Sequence, residues 1–292
     1  MLVDPLPGVD RDRLLAGLHK ASTEITNARS SIGDPYTEYI QAANRAARTL
    51  APLVTAAEVD RLVLTRRYWV LQSIPGNAGT PPVTALLNAE FDERSRVFDE
   101  AERALQEQIR RRSRPGVFVV PDTSFYIEHP DKLEDADLAP HLHVLDEPIH
   151  LLVPILVVDQ LDGLKRSGNA HTRWRARYTL AVLDRHLVNP AEQAVLRPAD
   201  FTAIDNSTDG MPRGEVTVEI LFDSPGHIRL AIDDDEIIDR AVAAKAFAGR
   251  ELTIITYDTG QGMRARRAEL KCVKLDPGRG PEPPPRGTAA AT

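Results

Sequence analysis

The sequence predicts an α/β protein in which a parallel-sheet α/β/α domain follows an all-helical region. Three observations carry that reading. Residues 1–115 hold repeated helix-start signals. After residue 116 come short, nearly continuous apolar runs rich in Val and Ile: "GVFVVPD", "IHLLVPILVVDQ" and "ELTIITYD". Such runs suit strands buried on both faces of a parallel sheet. Helix-like segments alternate with them at roughly 131–139, 169–188, 235–248 and 262–270, the order of a doubly wound domain.

In the first region Asp34-Pro35 joins a favoured N-cap to a first-turn proline, and Thr80-Pro81 repeats the device. "TAAE" at 55–58 has capping-box spacing. Leu87, Phe91, Phe98, Leu105 and Ile109 recur at helical intervals and mark one face of a long helix. That helix closes on "IRRRSRPG", where basic residues meet Pro and Gly. Three or four helices are expected here. Residues 214–232, "GEVTVEILFDSPGHIRLAI", alternate around "SPG" and read as an inserted β-hairpin. Residues 276–292 are rich in Pro, Gly and Ala and read as a disordered tail. The expected domains are therefore 1–115, helical; 116–275, α/β; and 276–292, the tail.

Composition is that of a globular chain, 42% hydrophobic and 27% charged. No apolar run reaches the roughly 18 residues of a membrane span. "MLVDPLPGVDRDR" lacks the basic start and apolar block of a signal peptide. The single cysteine, Cys272, excludes an intramolecular disulfide and a cysteine-built zinc site, so the cytoplasm is the expected compartment. A net charge of −7 disfavours a passive nucleic-acid coat protein but not an enzyme, for which the charge of one groove decides.

Three apolar runs end in aspartate, at Asp122, Asp159 and Asp258, and the acidic "DDDE" at 233–236 opens a helix. In open α/β sheets the cleft lies outside the carboxyl ends of the strands. Carboxylates gathered there repel one another unless a divalent cation neutralises them. Mg²⁺ and Mn²⁺ favour such oxygen ligands, and phosphoryl transfer is the chemistry that uses them. Taken singly, each aspartate is also explained as a helix cap or surface charge, so the pattern alone leaves both readings open.

"VPDTSFYIEHPDKLED", "VPILVVDQLDGLKRSG", "DDDEIIDRAVA" and "TYDTGQGMRARRAEL" resemble successive motifs of the PIN domain. The branch most similar is that of eukaryotic RNA-decay nucleases and bacterial PIN proteins fused to an ATPase. The resemblance covers about residues 116–275 and includes Thr256-x-Asp258 followed by Arg264 and Arg266. It implies a Mg²⁺- or Mn²⁺-dependent endoribonuclease acting on single-stranded RNA. On that resemblance Asp122, Asp234 and Asp258 match the first, third and fourth acids and form the catalytic, metal-holding set. Asp235 is an auxiliary ligand. The glutamate of the family's "E-L-D" falls on Gln160, whose amide adds no negative charge and weakens cation binding. Asp162, which aligns with the motif's own aspartate, is the candidate replacement.

Between Gly163 and Leu183 no acidic residue occurs, while Lys165, Arg166, Arg173, Arg175 and Arg177 do, with Trp174 and Tyr178 among them. Such a strip suits a phosphate backbone and stacked bases. It equally suits a solvated basic face with the aromatics in the core. The expected substrate contacts are Thr123, Ser124, Lys165, Arg166, Arg173 and Arg264. Two rivals stand beside the ribonuclease: a non-catalytic RNA- or protein-binding module, motivated by Gln160, and a structure-specific DNA nuclease. A homodimer or protein partner through the helical region is left open.

Overall fold

The computed structural model describes residues 3–74, 79–201, 212–224 and 226–276. The expected tail lies outside them from residue 277 onward. Packing divides the chain into two compact units that do not follow it contiguously. One runs to Val117 and adds Leu221–Leu252; the other takes Phe118–Ile220 and continues from Thr253.

The first unit opens with α1 (Arg11–Arg29), α2 (Pro35–Leu50), α3 (Ala56–Leu62), α4 (Arg66–Gln72) and α5 (Pro81–Arg112). Among the described residues five helices stand where three or four are expected from sequence, because the segment 51–72 breaks into two short ones. Asp34 caps α2 as its spacing predicts, accepting from Thr37 N at 2.9 Å, with Pro35 in the first turn. Thr55 stands at the N-cap of α3, but the capping box does not close. Thr55 makes no side-chain cap bond, and Glu58 is buried against Arg61 instead. Leu87, Phe91, Phe98 and Leu105 of α5 enter the core, joined there by Leu14, Leu18 and Ile25 of α1 and Tyr39 and Leu50 of α2.

A further helix, α10 (Asp233–Ala248), packs on α5 and α1 and contributes Phe247 to the same core. It ends at Gly249, whose positive φ of 60° suits a residue without a Cβ. A Cβ there would also meet the Arg11 guanidinium, which donates to Ala248 O at 3.2 Å and ties α10 to α1.

The second unit is built on β1 (Val117–Pro121), β2 (Ile149–Pro154), β3 (Ala194–Arg197), β4 (Val216–Leu221), β5 (Leu252–Thr256) and β6 (Lys271–Lys274). They form one mixed, parallel-dominant sheet in the order β3-β4-β2-β1-β5-β6. β3 pairs antiparallel with β4, and β5 parallel with β6. Its helices are α6 (Thr123–Glu128), α7 (Ala139–Leu142), α8 (Ile155–Leu164), α9 (Ala170–His186) and α11 (Thr259–Arg267).

Three sequence expectations change here. The apolar run 149–160 is only half strand: β2 stops at Pro154 and "ILVVDQ" begins α8, burying Leu156, Val157 and Leu161 at helical spacing. A short apolar run does not distinguish a buried strand from a buried helix. Asp159 is consequently an exposed residue of a helix, not a strand end. Among the described residues of 214–232 no hairpin forms. β4 pairs instead with β3, whose four residues carry too little pattern to be read, and the described residues 222–232 are irregular. Most of 131–139 is likewise irregular, and the helix falls earlier, at α6.

Arg175 of α9 fastens α6 in place. Its side chain is buried and donates to the carbonyl oxygens of Tyr126 (3.0 Å), His129 (2.8 Å) and Asp131 (2.7 Å). These oxygens, at the carboxyl end of α6 and just beyond it, would otherwise lack donors. Arg175→Met leaves buried acceptors unpaired and is expected to lower unfolding free energy by roughly 3 kcal/mol in urea denaturation. A change within experimental error would show that the clamp is dispensable.

Candidate active site

β1 and β5 are neighbours in the sheet, and Asp122 N donates to Ile255 O at 3.2 Å. The carboxyl ends of these strands therefore lie side by side. Apolar residues such as Val119, Val120, Ile254 and Ile255, all fully buried, fix both strands, and each gives way to polar side chains at its end.

Asp122 follows β1 and caps α6. Its Oδ1 accepts from Phe125 N at 3.0 Å and from Ser124 Oγ at 2.7 Å, and its Oδ2 accepts from Thr256 Oγ1 at 2.6 Å. Thr256 ends β5, and its hydroxyl in turn accepts from Asp258 N at 2.8 Å. Asp258 caps α11 through Gln261 N at 2.9 Å. Ser124 Oγ accepts from Tyr257 N at 2.8 Å, closing a ring of bonds between the two strand ends. Asp122 thus caps α6 and is at the same time bonded to the end of the neighbouring strand.

Asp122 is 5% exposed, whereas Asp258 faces solvent. Burial pushes the Asp122 carboxyl above its ordinary value. The bonds from Thr256, Ser124 and Phe125 N oppose that shift, and the nearby charge of Asp258 adds to it. The same Asp122 charge, after burial, raises the fully buried Tyr126 phenol.

Gln160, on α8, accepts a hydrogen bond from Thr123 Oγ1 through its amide oxygen. The residue standing at the family's second acid therefore touches the neighbour of Asp122. Asp162 is mostly exposed and pairs with Lys165, the C-cap of the same helix. That pairing engages both the candidate replacement acid and one expected phosphate contact. Arg173 donates to Ser167 O at 2.6 Å, and Arg166 is exposed.

Of the aromatics in the basic strip, Trp174 is 50% exposed and stacks on Tyr178 at 5.3 Å, with Lys132 beside both rings. Tyr178 donates to Glu134 at 2.6 Å. Arg264 reaches back toward the N-terminus of α11. Its Nη1 and Asp258 Oδ1 each lie 3.0 Å from where a Cβ of Gly260 would stand, so glycine there gives both groups room.

Asp234 and Asp235 occupy the first turn of α10, half-buried, in the first unit. Next to them is a grouping absent from the sequence reading: Asp223, His227 and Glu236 bring ligand-type atoms within 4.8 Å of one another. Arg229 holds Asp223 at 2.7 Å and Arg240 lies 3.3 Å from Glu236. Leu230 N donates to Glu236 Oε2 at 2.8 Å, and His227 Nε2 lies 2.7 Å from Oε1. Two guanidiniums already neutralise this set, which fastens the segment 223–230 to α10.

Thr256 was legible only as part of the Thr-x-Asp motif, and its role as the joint between two acids needed the sheet pairing. The donor chemistry at the β1 and β5 ends fits a hard divalent cation, for which carboxylate oxygens are the preferred ligands. A carboxylate has about four acceptor positions, so the hydroxyl bonds do not exhaust Asp122.

Fold and site together define an α/β domain that gathers acids where such sheets bind their ligands. A family model for the PIN domain matches residues 119–276, and the chain belongs to that family. PIN domains are usually nucleases and typically use divalent metal ions. None of the curated proteins matches the chain. Among the described residues no helix is long and apolar enough to cross a membrane.

Because Asp122 has a raised pKa in the folded state, the fold holds an extra proton between the unfolded value, about 3.9, and the raised one. Stability then falls as pH rises through that interval. In EDTA, Asp122→Asn is expected to melt progressively higher than the parent as pH rises above about 4, with a plateau once Asp122 is ionised. A difference independent of pH would contradict the burial account.

Proposed function

We propose that the protein is a metal-dependent endoribonuclease that hydrolyses phosphodiester bonds of single-stranded RNA with Mg²⁺ or Mn²⁺. The observation that carries this is the Thr256 hydroxyl joining Asp122 to the backbone of Asp258 at adjacent strand ends. Asp122 and Asp258 would hold the cation. The resemblance matches Asp234 to the family's third acid, with Asp235 as an auxiliary ligand. When bound, the ion supplies positive charge against the phosphate and acidifies the attacking water.

The remaining groups act through the protein. Thr256 and Ser124 orient the Asp122 carboxylate, the part that outer-shell partners play for metal ligands. Thr123 is engaged with Gln160, which sets the polar edge beside Asp122. Arg264 offers a guanidinium beside Asp258 for a phosphate oxygen.

Gln160 favours a second reading, a binding module that has lost catalysis, since an amide leaves the site one negative charge short. Cleavage of a labelled single-stranded RNA with Mn²⁺, against the same sequence as DNA, separates the readings. Asp122→Asn and Asp258→Asn are expected to lose more than the roughly 10–100-fold typical of an orienting group, with Thr256→Val inside that range. Gln160→Glu is expected to raise Mn²⁺ affinity and rate. Equal cleavage by the parent and Asp122→Asn would reject the catalytic assignment. An inert parent rescued by Gln160→Glu would establish the binding module.

A further inference from the structure

We propose that the helical unit carries a groove of its own for single-stranded RNA, between α2 and α4, with Trp69 as the stacking surface. The choice of RNA rests on the ribonuclease reading; the groove itself does not. α2 buries Tyr39, Ala42, Ala43, Ala46 and Leu50, which turns Gln41, Asn44, Arg45 and Arg48 outward at spacings of three and four. That polar stripe forms one wall of an open groove of about 740 Å³, with Tyr68 and Trp69 of α4 among the residues lining it. The volume is that of a small-ligand site.

The walls are held in position. Tyr68 OH donates to Asn44 Oδ1 at 3.1 Å, fastening α4 to α2. Trp69 packs edge-on against Tyr68, ring centroids 5.0 Å apart, and remains 56% exposed. Arg45 is aligned by Glu24 at 2.8 Å, and Arg48 Nε donates to Asn44 O at 3.2 Å. Among the described residues that line the groove none is a carboxylate. Two guanidiniums, two side-chain amides and an open indole form the set that takes a phosphate backbone and a stacked base. The wall that carries Arg45 and Arg48 disfavours a basic partner. An acidic peptide would use the arginines but not the exposed indole beside them, so a nucleotide chain fits better.

The test uses the full chain carrying Asp122→Asn, so that RNA is bound without being cut. Trp174→Phe makes Trp69 the one remaining indole of the two in the sequence. A fluorescently labelled oligouridylate is titrated while Trp69 emission and probe anisotropy are followed. Quenching of Trp69 is expected, with affinity falling roughly tenfold in Trp69→Ala and less in Trp69→Phe, which keeps an aromatic face. Arg48→Glu is expected to weaken binding and flatten its salt dependence.

Unchanged affinity in Trp69→Ala and Arg48→Glu would overturn the proposal. So would displacement of the probe by polyglutamate with loss of the Trp69 signal, which assigns the groove to an acidic peptide. Cleavage by the protein with Asp122 intact is scored separately. RNA bound in the groove but never cut sinks the nuclease reading alone; RNA cut normally while groove variants bind like the parent sinks the groove alone.

Discussion

One hydroxyl links a carboxylate at one strand end to the backbone of a second acidic residue at the next. Thr256 Oγ1 is fully buried with its residue, donates to Asp122 and receives the amide of Asp258, using the donor and acceptor capacity that only a hydroxyl combines in so small a group. Each acid is also tied to its own helix, Asp122 to α6 and Asp258 to α11. The Asp122 carboxylate is therefore fixed from two directions, and Asp258 by its cap bond and its backbone. Burial makes the Asp122 charge costly, and the proximity of Asp258 adds to the cost. A cation offsets both. Stability surrendered at this point is what placing acids at buried strand ends costs.

Much of this was legible in the sequence because it rests on local chemistry. Apolar β-formers halted by Asp122, and Thr256-x-Asp258 after "LTII", announced strand ends with acids on them. Asp34-Pro35 announced a helix start. What failed depended on distant partners. "ILVVDQ" is apolar enough for a strand, and only packing makes it a helix with Leu156, Val157 and Leu161 inward. The alternation of 214–221 was a true strand signal, but its partners are β2 and β3 rather than the residues after "SPG". Among the basic residues, composition could not separate Arg175, a buried clamp on three carbonyls, from Arg166 on the surface.

The division of the chain carries its own lesson. α10 lies within the span matched by the PIN family, yet its apolar face, ending in Phe247, packs with the N-terminal helices. The helical region is thus part of how the acidic start of α10 is supported. Gln160 departs from the motif that its stretch of sequence resembles. Its amide accepts from Thr123 where the family places a carboxylate, which lowers the negative charge around Asp122 while keeping a polar contact there.

The central claim is that Asp122 and Asp258 share a divalent ion. Anomalous diffraction from crystals soaked in Mn²⁺ measures that directly. The account predicts a manganese peak within about 2.5 Å of a carboxylate oxygen of each residue. A peak confined to Asp223, His227 and Glu236, or none near Asp122 at saturating Mn²⁺, would contradict it.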